Sequence, residues 1–316
     1  MFAGHAFLAF ALVGAVVAHL ADRETAVRLG VLAAAFAAIP DVDMSYALVG
    51  LLSAEGGALS HASAFWEAST VVHRTITHSL VVAPAIALLA ACWVGGRRRD
   101  ARTLLAFAVA VGLSLVAVAA TASGPLGGFV MGVFVVAALA VAEATVQHTT
   151  VSARTTGLVG LVGLLSHPFG DLFTGEPPAL LYPFDVTVFA ERVTLAADPT
   201  LHLLGAFAVE LAAIWAGVVV ATHLLGRSPL SAVDLRAGAG LGYAAAVLVI
   251  PAPTLDLSYP FVFSVLLVGA VGVVPRFRIF DRQFERPDAT DAFLTGLAAV
   301  TAAGLAYAFA YLFVLG

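Results

Sequence analysis

Apolar runs separated by short polar breaks organise the whole chain. A helix needs about 20 apolar residues to cross a bilayer, with a range of about 17–25. Runs that reach or approach this length lie at 3–20, 25–39, 79–95, 103–121, 126–147, 155–170, 200–225, 233–251, 259–275 and 290–314. They predict an all-α polytopic membrane protein with about ten transmembrane helices, the second and sixth being short. Residues 44–53 (MSYALVGLLS) are apolar but too short to span, and predict a re-entrant or interfacial piece. The first run has no basic region before it and carries His5 at its start, so no cleavable signal peptide is expected. A polar, Pro-rich stretch at 172–199 separates a first half rich in His from a second half that holds only His202 and His223. This places a soft boundary between a region 1–185 and additional helices, scaffold or of unknown role, in 186–316.

Composition strengthens the membrane assignment. The 316 residues are 61% hydrophobic and 11% charged, with a mean hydropathy of +1.01, whereas soluble domains run near 25% charged. One cysteine, Cys92, excludes disulfides and any Cys-based zinc or iron–sulfur site. A net charge of -5, dispersed along the chain, points to no nucleic-acid partner. Every basic residue is Arg. With ten spans, only Arg74 and Arg192 fall on the side that holds the N-terminus, and the other 13 of the 15 fall opposite. Because Arg bias marks the cytoplasmic side, the expectation is a multi-pass protein of the cell membrane with both termini extracytoplasmic.

Four polar clusters interrupt the apolar sequence. They are His5, Pro40-Asp41-Val42-Asp43, the segment from His73 and Arg74 through Thr77 to His78 and Ser79, and His167-Pro168-Phe169-Gly170-Asp171. All four land on the extracytoplasmic side, at the membrane edge. Imidazole nitrogen and carboxylate oxygen suit Zn²⁺, and Mn²⁺ or Fe²⁺ as well. The candidate ligands are therefore His5, Asp41, Asp43, His73, His78, His167 and Asp171. His167 and Asp171, four apart, share a helix face, with Pro168 tolerable only in a first turn or a distortion. Asp41 and Asp43 converge on one ion only if their turn is extended. His73 and His78, five apart, do not share a helix face, and which of them ligates stays open. Thr75, Thr77 and Ser79 are available to fix imidazole tautomers. His202 is an additional candidate, and Glu210, inside the seventh run, is the feature that favours a transporter.

The order of His5, PDxD at 40–43, HRTxTHS at 73–79 and SHPxxD at 166–171 resembles the YdjM-type membrane-bound metal-dependent hydrolases, over roughly residues 1–185. That family carries HRG-x-THS at the third cluster, and here Thr75 replaces the Gly. A more distant likeness is to the zinc-dependent phospholipases C, whose early His, Asp, further His and HxxxD pair match His5, Asp41 or Asp43, His78 and His167–Asp171 in order. A later HxxxE-type pair has no counterpart, which implies one or two metals rather than three.

These observations set the expectation: a divalent metal, Zn first, and hydrolysis of a phosphoester, with membrane lipid as partner and a lipid phosphate as substrate. The aspartate of Asp41 and Asp43 that is not a ligand is the candidate general base. Arg74 either clamps a phosphate oxygen or pairs with Asp41 or Asp43. The alternatives are an ion or solute transporter and a non-catalytic protein with a structural metal.

Overall fold

The computed structural model describes residues 3–52, 54–57, 60, 61, 64, 65, 68, 74–278 and 283–314. The chain divides into two compact units, Met1–Arg192 and Val193–Gly316. The first contains α1 (Ala3–Ala18), α2 (Arg23–Ala38) continuing into a 3₁₀ segment (Ile39–Leu52), α3 (Val82–Arg99), α4 (Arg102–His148) and α5 (Ala153–Gly170), which ends in a 3₁₀ turn (Asp171–Phe173). Side-chain caps start α2 and α5. Asp22 accepts from the Thr25 amide at 2.9 Å, and Ser152 accepts from that of Thr155 at 3.2 Å, each satisfying an amide that has no partner inside its helix.

The long helix α4 is two rods. Ser123 and Gly124 leave helical geometry, with Gly124 at φ 71°, and Pro125 follows. A left-handed residue costs least at Gly, and Pro starts the next rod without losing a helix bond. The arms fold back on each other. A β-carbon at Gly128 would stand 2.9 Å from that of Ala120, and one at Gly112 would stand 2.9 Å from Val135. They correspond to the runs at 103–121 and 126–147. Each rod of this unit has one end near residues 5, 41, 78, 124 and 167 and the other near the Arg-rich turns. At that second end Arg97 pairs with Glu143 at 2.8 Å, and Glu143 also accepts from Trp93.

Small residues bring the rods close enough to build a shared site. A β-carbon at Gly163 of α5 would overlap the carbonyl of Ala33 in α2, and one at Gly160 would press on the Phe36 ring at 3.1 Å. In lipid, where burial of apolar surface gives no advantage between helices, such close backbone approach and its van der Waals contacts hold helices together. Phe36, Ile86, Leu89, Met131 and Phe134 fill the space between them.

The second unit contains α6 (Pro199–Leu224), a 3₁₀ segment (Leu235–Leu248), α7 (Tyr259–Val268) with a 3₁₀ extension (Gly269–Val273), a short hairpin of β1 (Arg276–Arg278) and β2 (Gln283–Glu285), and α8 (Ala289–Val314). Phe207, Tyr243, Phe261 and Tyr307 form an aromatic cluster with centroids 5.1–6.1 Å apart. Among the described residues, five helices are long and apolar enough to cross a membrane, and three shorter apolar helices accompany them. The difference from ten has local causes. The folded α4 is one of the five. α1 has 16 residues, and α3 ends in Arg97, Arg98 and Arg99. The run at 233–251 becomes a 14-residue 3₁₀ helix, which at about 2 Å per residue still extends about 28 Å. Residues 44–53, expected at an interface, continue α2 through Val49 as part of a candidate span.

The α2–α5 approach yields a test. Gly163→Val must separate the two helices, and overpacking of this kind costs about 1–3 kcal/mol, so the detergent-solubilised protein is expected to melt several degrees lower. Gly132→Ala, whose new β-carbon would meet only Val116 at 4.0 Å, is expected to leave the melting temperature within about a degree. Equal melting temperatures for both variants would contradict this account of the packing.

Candidate metal centre

The helix approach at Gly163 sets the site one turn further along. His167 lies four residues beyond Gly163, and Ala37 four beyond Ala33. The Nδ1 of His167 meets the Ala37 carbonyl at 2.7 Å. A carbonyl only accepts, so Nδ1 carries the proton and Nε2 presents its lone pair. Pro40 removes one competitor for this carbonyl. Where α2 tightens to 3₁₀, that carbonyl would bond the amide of residue 40, and proline has none.

The His167 lone pair faces a converging set of atoms. His78 Nε2 lies 3.0 Å away, Asp41 Oδ1 3.4 Å and Asp171 Oδ2 3.8 Å. Asp171 Oδ2 is in turn 2.9 Å from His78 Nε2. One ligand atom from each of Asp41, His78, His167 and Asp171 lies within 4.8 Å of all the others. Ligands about 2.0–2.1 Å from a tetrahedral zinc ion stand about 3.3–3.4 Å from each other, and the observed separations bracket that value. His78, His167 and Asp171 are buried, while the Asp41 side chain is 21% exposed. Burial first, and the facing His167 second, push the His78 imidazole down to about 4. Both effects favour its uncharged form. Two imidazoles and two carboxylates facing one another in a buried space are stabilised by a cation between them. These four residues can hold a divalent metal.

The remaining sequence candidates surround this set. His5 is buried, with its ring stacked on His167 at a centroid distance of 3.9 Å. Its Nε2 stands 3.4 Å from Asp171 Oδ1, but its nitrogens do not join the four-residue set. Asp43 does not converge with Asp41. The condition for convergence, an extended turn, is not met: the turn is 3₁₀, in which positions two apart point about 120° from each other. Asp43 Oδ2 accepts from the Thr77 hydroxyl at 2.9 Å and from the Arg74 amide at 3.3 Å. Pro168 sits in the last turn of α5, not the first, and Asp171 caps that helix while keeping the four-residue spacing to His167. His73 lies outside the described residues. His202 belongs to the second unit, where its Nδ1 accepts from the Leu195 amide at 3.1 Å. Glu210 is part-buried in α6, also in the second unit.

Arg74 pairs with Asp171 and not with the Asp41 or Asp43 carboxylate that one of its two alternatives named. Its backbone is left-handed, at φ 67°. Its Nη2 reaches Asp171 Oδ1 at 3.4 Å and Thr174 Oγ1 at 3.0 Å, and its Nη1 reaches the carbonyls of Asp171 and Glu176 at 3.2 and 3.3 Å. Gly175, at φ +61°, leaves room for it, since a β-carbon there would stand 2.7 Å from Nη1. The guanidinium is thus engaged in holding the turn that carries Asp171, and its Nη groups are not free to clamp a phosphate. Ser79 fixes the start of α3, accepting from the amides of Val81 and Val82 at 3.0 and 3.2 Å and donating to the Tyr182 carbonyl at 2.6 Å. Ala37 and Gly163 carry no ligand chemistry and stand in no motif, and Pro40 enters the 40–43 motif only as the neighbour of its aspartates. Only the proline beside the acidic pair hinted at a carbonyl left open.

Residues 1–126 match the YdjM inner membrane protein family. The YdjM match takes in His5, Asp41, Asp43, Arg74 and His78 and stops before His167 and Asp171. No curated protein and no solved structure matches the chain, so the phospholipase C likeness rests on residue order alone. In the segment 74–79, Arg74 has positive φ and Thr75 does not. A Gly at 75 is therefore not required by the backbone.

Pro40→Ala tests the His167 bond. The new amide competes for the Ala37 carbonyl, and loss of an outer partner of a ligating His weakens metal binding by about 10–100-fold. Zn²⁺ affinity, measured by chelator competition, is expected to fall by about tenfold with the melting temperature of the metal-free protein unchanged or raised. Unaltered affinity would contradict the role given to Pro40.

Proposed function

We propose that this membrane protein is a metal-dependent hydrolase of phosphoesters, with Asp41, His78, His167 and Asp171 holding one divalent ion, zinc first among the candidates. The observation that carries the reading is the donor set. It contains two imidazoles and two carboxylates and no thiolate, whereas structural zinc sites are built largely from Cys, and one of its members, Asp41, is open to solvent. A divalent ion bound there would supply Lewis acidity at the phosphoryl oxygen and, with the part-exposed Asp41 yielding its place to water, would lower the pKa of that water.

The chain's own residues do the rest. Asp41 uses one oxygen toward the set, and its second oxygen takes the proton from water as the water oxygen bonds to phosphorus. The ester P–O bond breaks, and the leaving oxygen takes that proton up. Asp171 is held for ligation by Arg74 on its other oxygen. His5 backs His167 and Asp171 and keeps water from that side.

The site end of the first unit lies opposite Arg97, Arg98 and Arg99, which end the helix that His78 precedes. Arg-rich ends face the cytoplasm, which supports an extracytoplasmic site. A position at the end of membrane helices favours an ester carried on a lipid.

Asp41→Asn is the sharpest test. Asp171 is buried and bonded to Arg74, so changing it disturbs the fold as well as the ion. Asp41 is part-exposed and has fewer structural ties. Zinc-loaded wild type is expected to hydrolyse phosphoesters from a panel that includes phospholipids in mixed micelles. Asp41→Asn should lose at least about 100-fold of that activity with its melting temperature within a few degrees of wild type. Wild type that binds zinc, melts much higher with it, and hydrolyses nothing across the panel would replace the enzyme with a structural metal site.

A further inference from the structure

Asp43, Thr77 and His78 form a chain of hydrogen bonds that leads away from the four-residue set. Thr77 Oγ1 is 2.9 Å from Asp43 Oδ2 on one side and 2.9 Å from His78 Nδ1 on the other. Asp43 Oδ2 is itself 3.7 Å from His78 Nδ1, too far for a direct bond. All three side chains are buried.

A hydroxyl has one proton to give. Thr77 donates it to the Asp43 carboxylate, which also accepts the Arg74 amide at 3.3 Å. The hydroxyl oxygen then meets His78 Nδ1 only as an acceptor, so the imidazole proton must sit on Nδ1. This leaves the Nε2 lone pair aimed at His167, Asp41 and Asp171.

We infer that Asp43 and Thr77 are positioning residues: a carboxylate–hydroxyl relay that places the His78 proton on Nδ1 and so makes Nε2 a metal ligand. The two aspartates of the Pro40–Asp43 motif then divide the work, Asp41 binding the ion and Asp43 setting the state of an imidazole that binds it. The motif at 74–79 divides in the same way: Arg74 holds Asp171, Thr77 orients His78, and Ser79 starts α3. The inference rests on the metal reading above but not on hydrolysis.

The relay makes a pattern of metal affinities that a ligand role for Asp43 would not. Thr77→Val keeps the shape and removes the hydroxyl, and zinc affinity by chelator competition is expected to fall by about 10–100-fold. Thr77→Ser should return to within about threefold of wild type. Asp43→Ala should lose about as much as Thr77→Val, and the double variant no more than either alone, because both act through one chain of bonds. In the zinc-loaded wild type, ¹⁵N chemical shifts of the His78 ring should show the proton on Nδ1. In Thr77→Val, that ring should show more than one state.

Zinc binding by Thr77→Val equal to wild type would overturn the relay. So would losses for Asp43→Ala and Thr77→Val that add in the double variant, or a His78 proton found on Nε2. Wild type that binds no zinc at all would overturn the metal reading and the relay with it, whereas zinc binding without hydrolysis would leave the relay standing and remove only the enzyme.

Discussion

Two imidazole nitrogens 3.0 Å apart, with a carboxylate oxygen 2.9 Å from one and another 3.4 Å from the other, are the constraint on which the first unit depends. Polar groups gathered inside an apolar bundle are costly unless each is fixed from behind, and a cation held between these would add to that fixing. The surrounding chain does the fixing. The Ala37 carbonyl takes the outer proton of His167, the Thr77 hydroxyl meets the outer nitrogen of His78, and Arg74 takes the outer oxygen of Asp171. Asp41 alone stays part-exposed, which makes it the door of the site.

The helices meet closely enough for this because their contact faces are small. Gly163 against Ala33 sets α5 onto α2, and one turn later the same register brings His167 to Ala37. The stretch from Thr174 to Tyr182 then lies over the start of α3. The Ala179 amide bonds the Arg74 carbonyl at 2.9 Å, and the Leu80 amide bonds the Leu180 carbonyl at 2.8 Å. The polar, Pro-rich segment that marks a composition break is thus also the strap that closes the site end of this unit.

Much of this was legible in the sequence, because charge and apolar length are properties of single residues in order. The helical class, the break between the runs at 103–121 and 126–147, and the gathering of His78, His167 and an aspartate of the Pro40–Asp43 motif follow from hydropathy and spacing. Other features depend on partners far apart in the chain. Nothing in the order of residues tells that Arg74 faces Asp171, that Asp41 and Asp43 part company in a 3₁₀ turn, or that His5 stacks on His167 beside the set. Five of the described helices reach spanning length, and the count of ten is not confirmed where run length and helix length diverge, as in the 16 residues of α1 and the 3₁₀ rise of Leu235–Leu248. Backbone groups such as the Ala37 carbonyl carry no residue-type signal at all.

The central claim is that two histidines and two aspartates, and no sulfur, hold one divalent ion. X-ray absorption at the zinc edge of the loaded, detergent-solubilised protein tests it directly. The account predicts about one zinc per chain in a shell of nitrogen and oxygen at about 2.0–2.1 Å, with the outer-shell scattering of two imidazole rings. A sulfur shell near 2.3 Å, a shell without imidazole, or failure of the protein to retain zinc would contradict it.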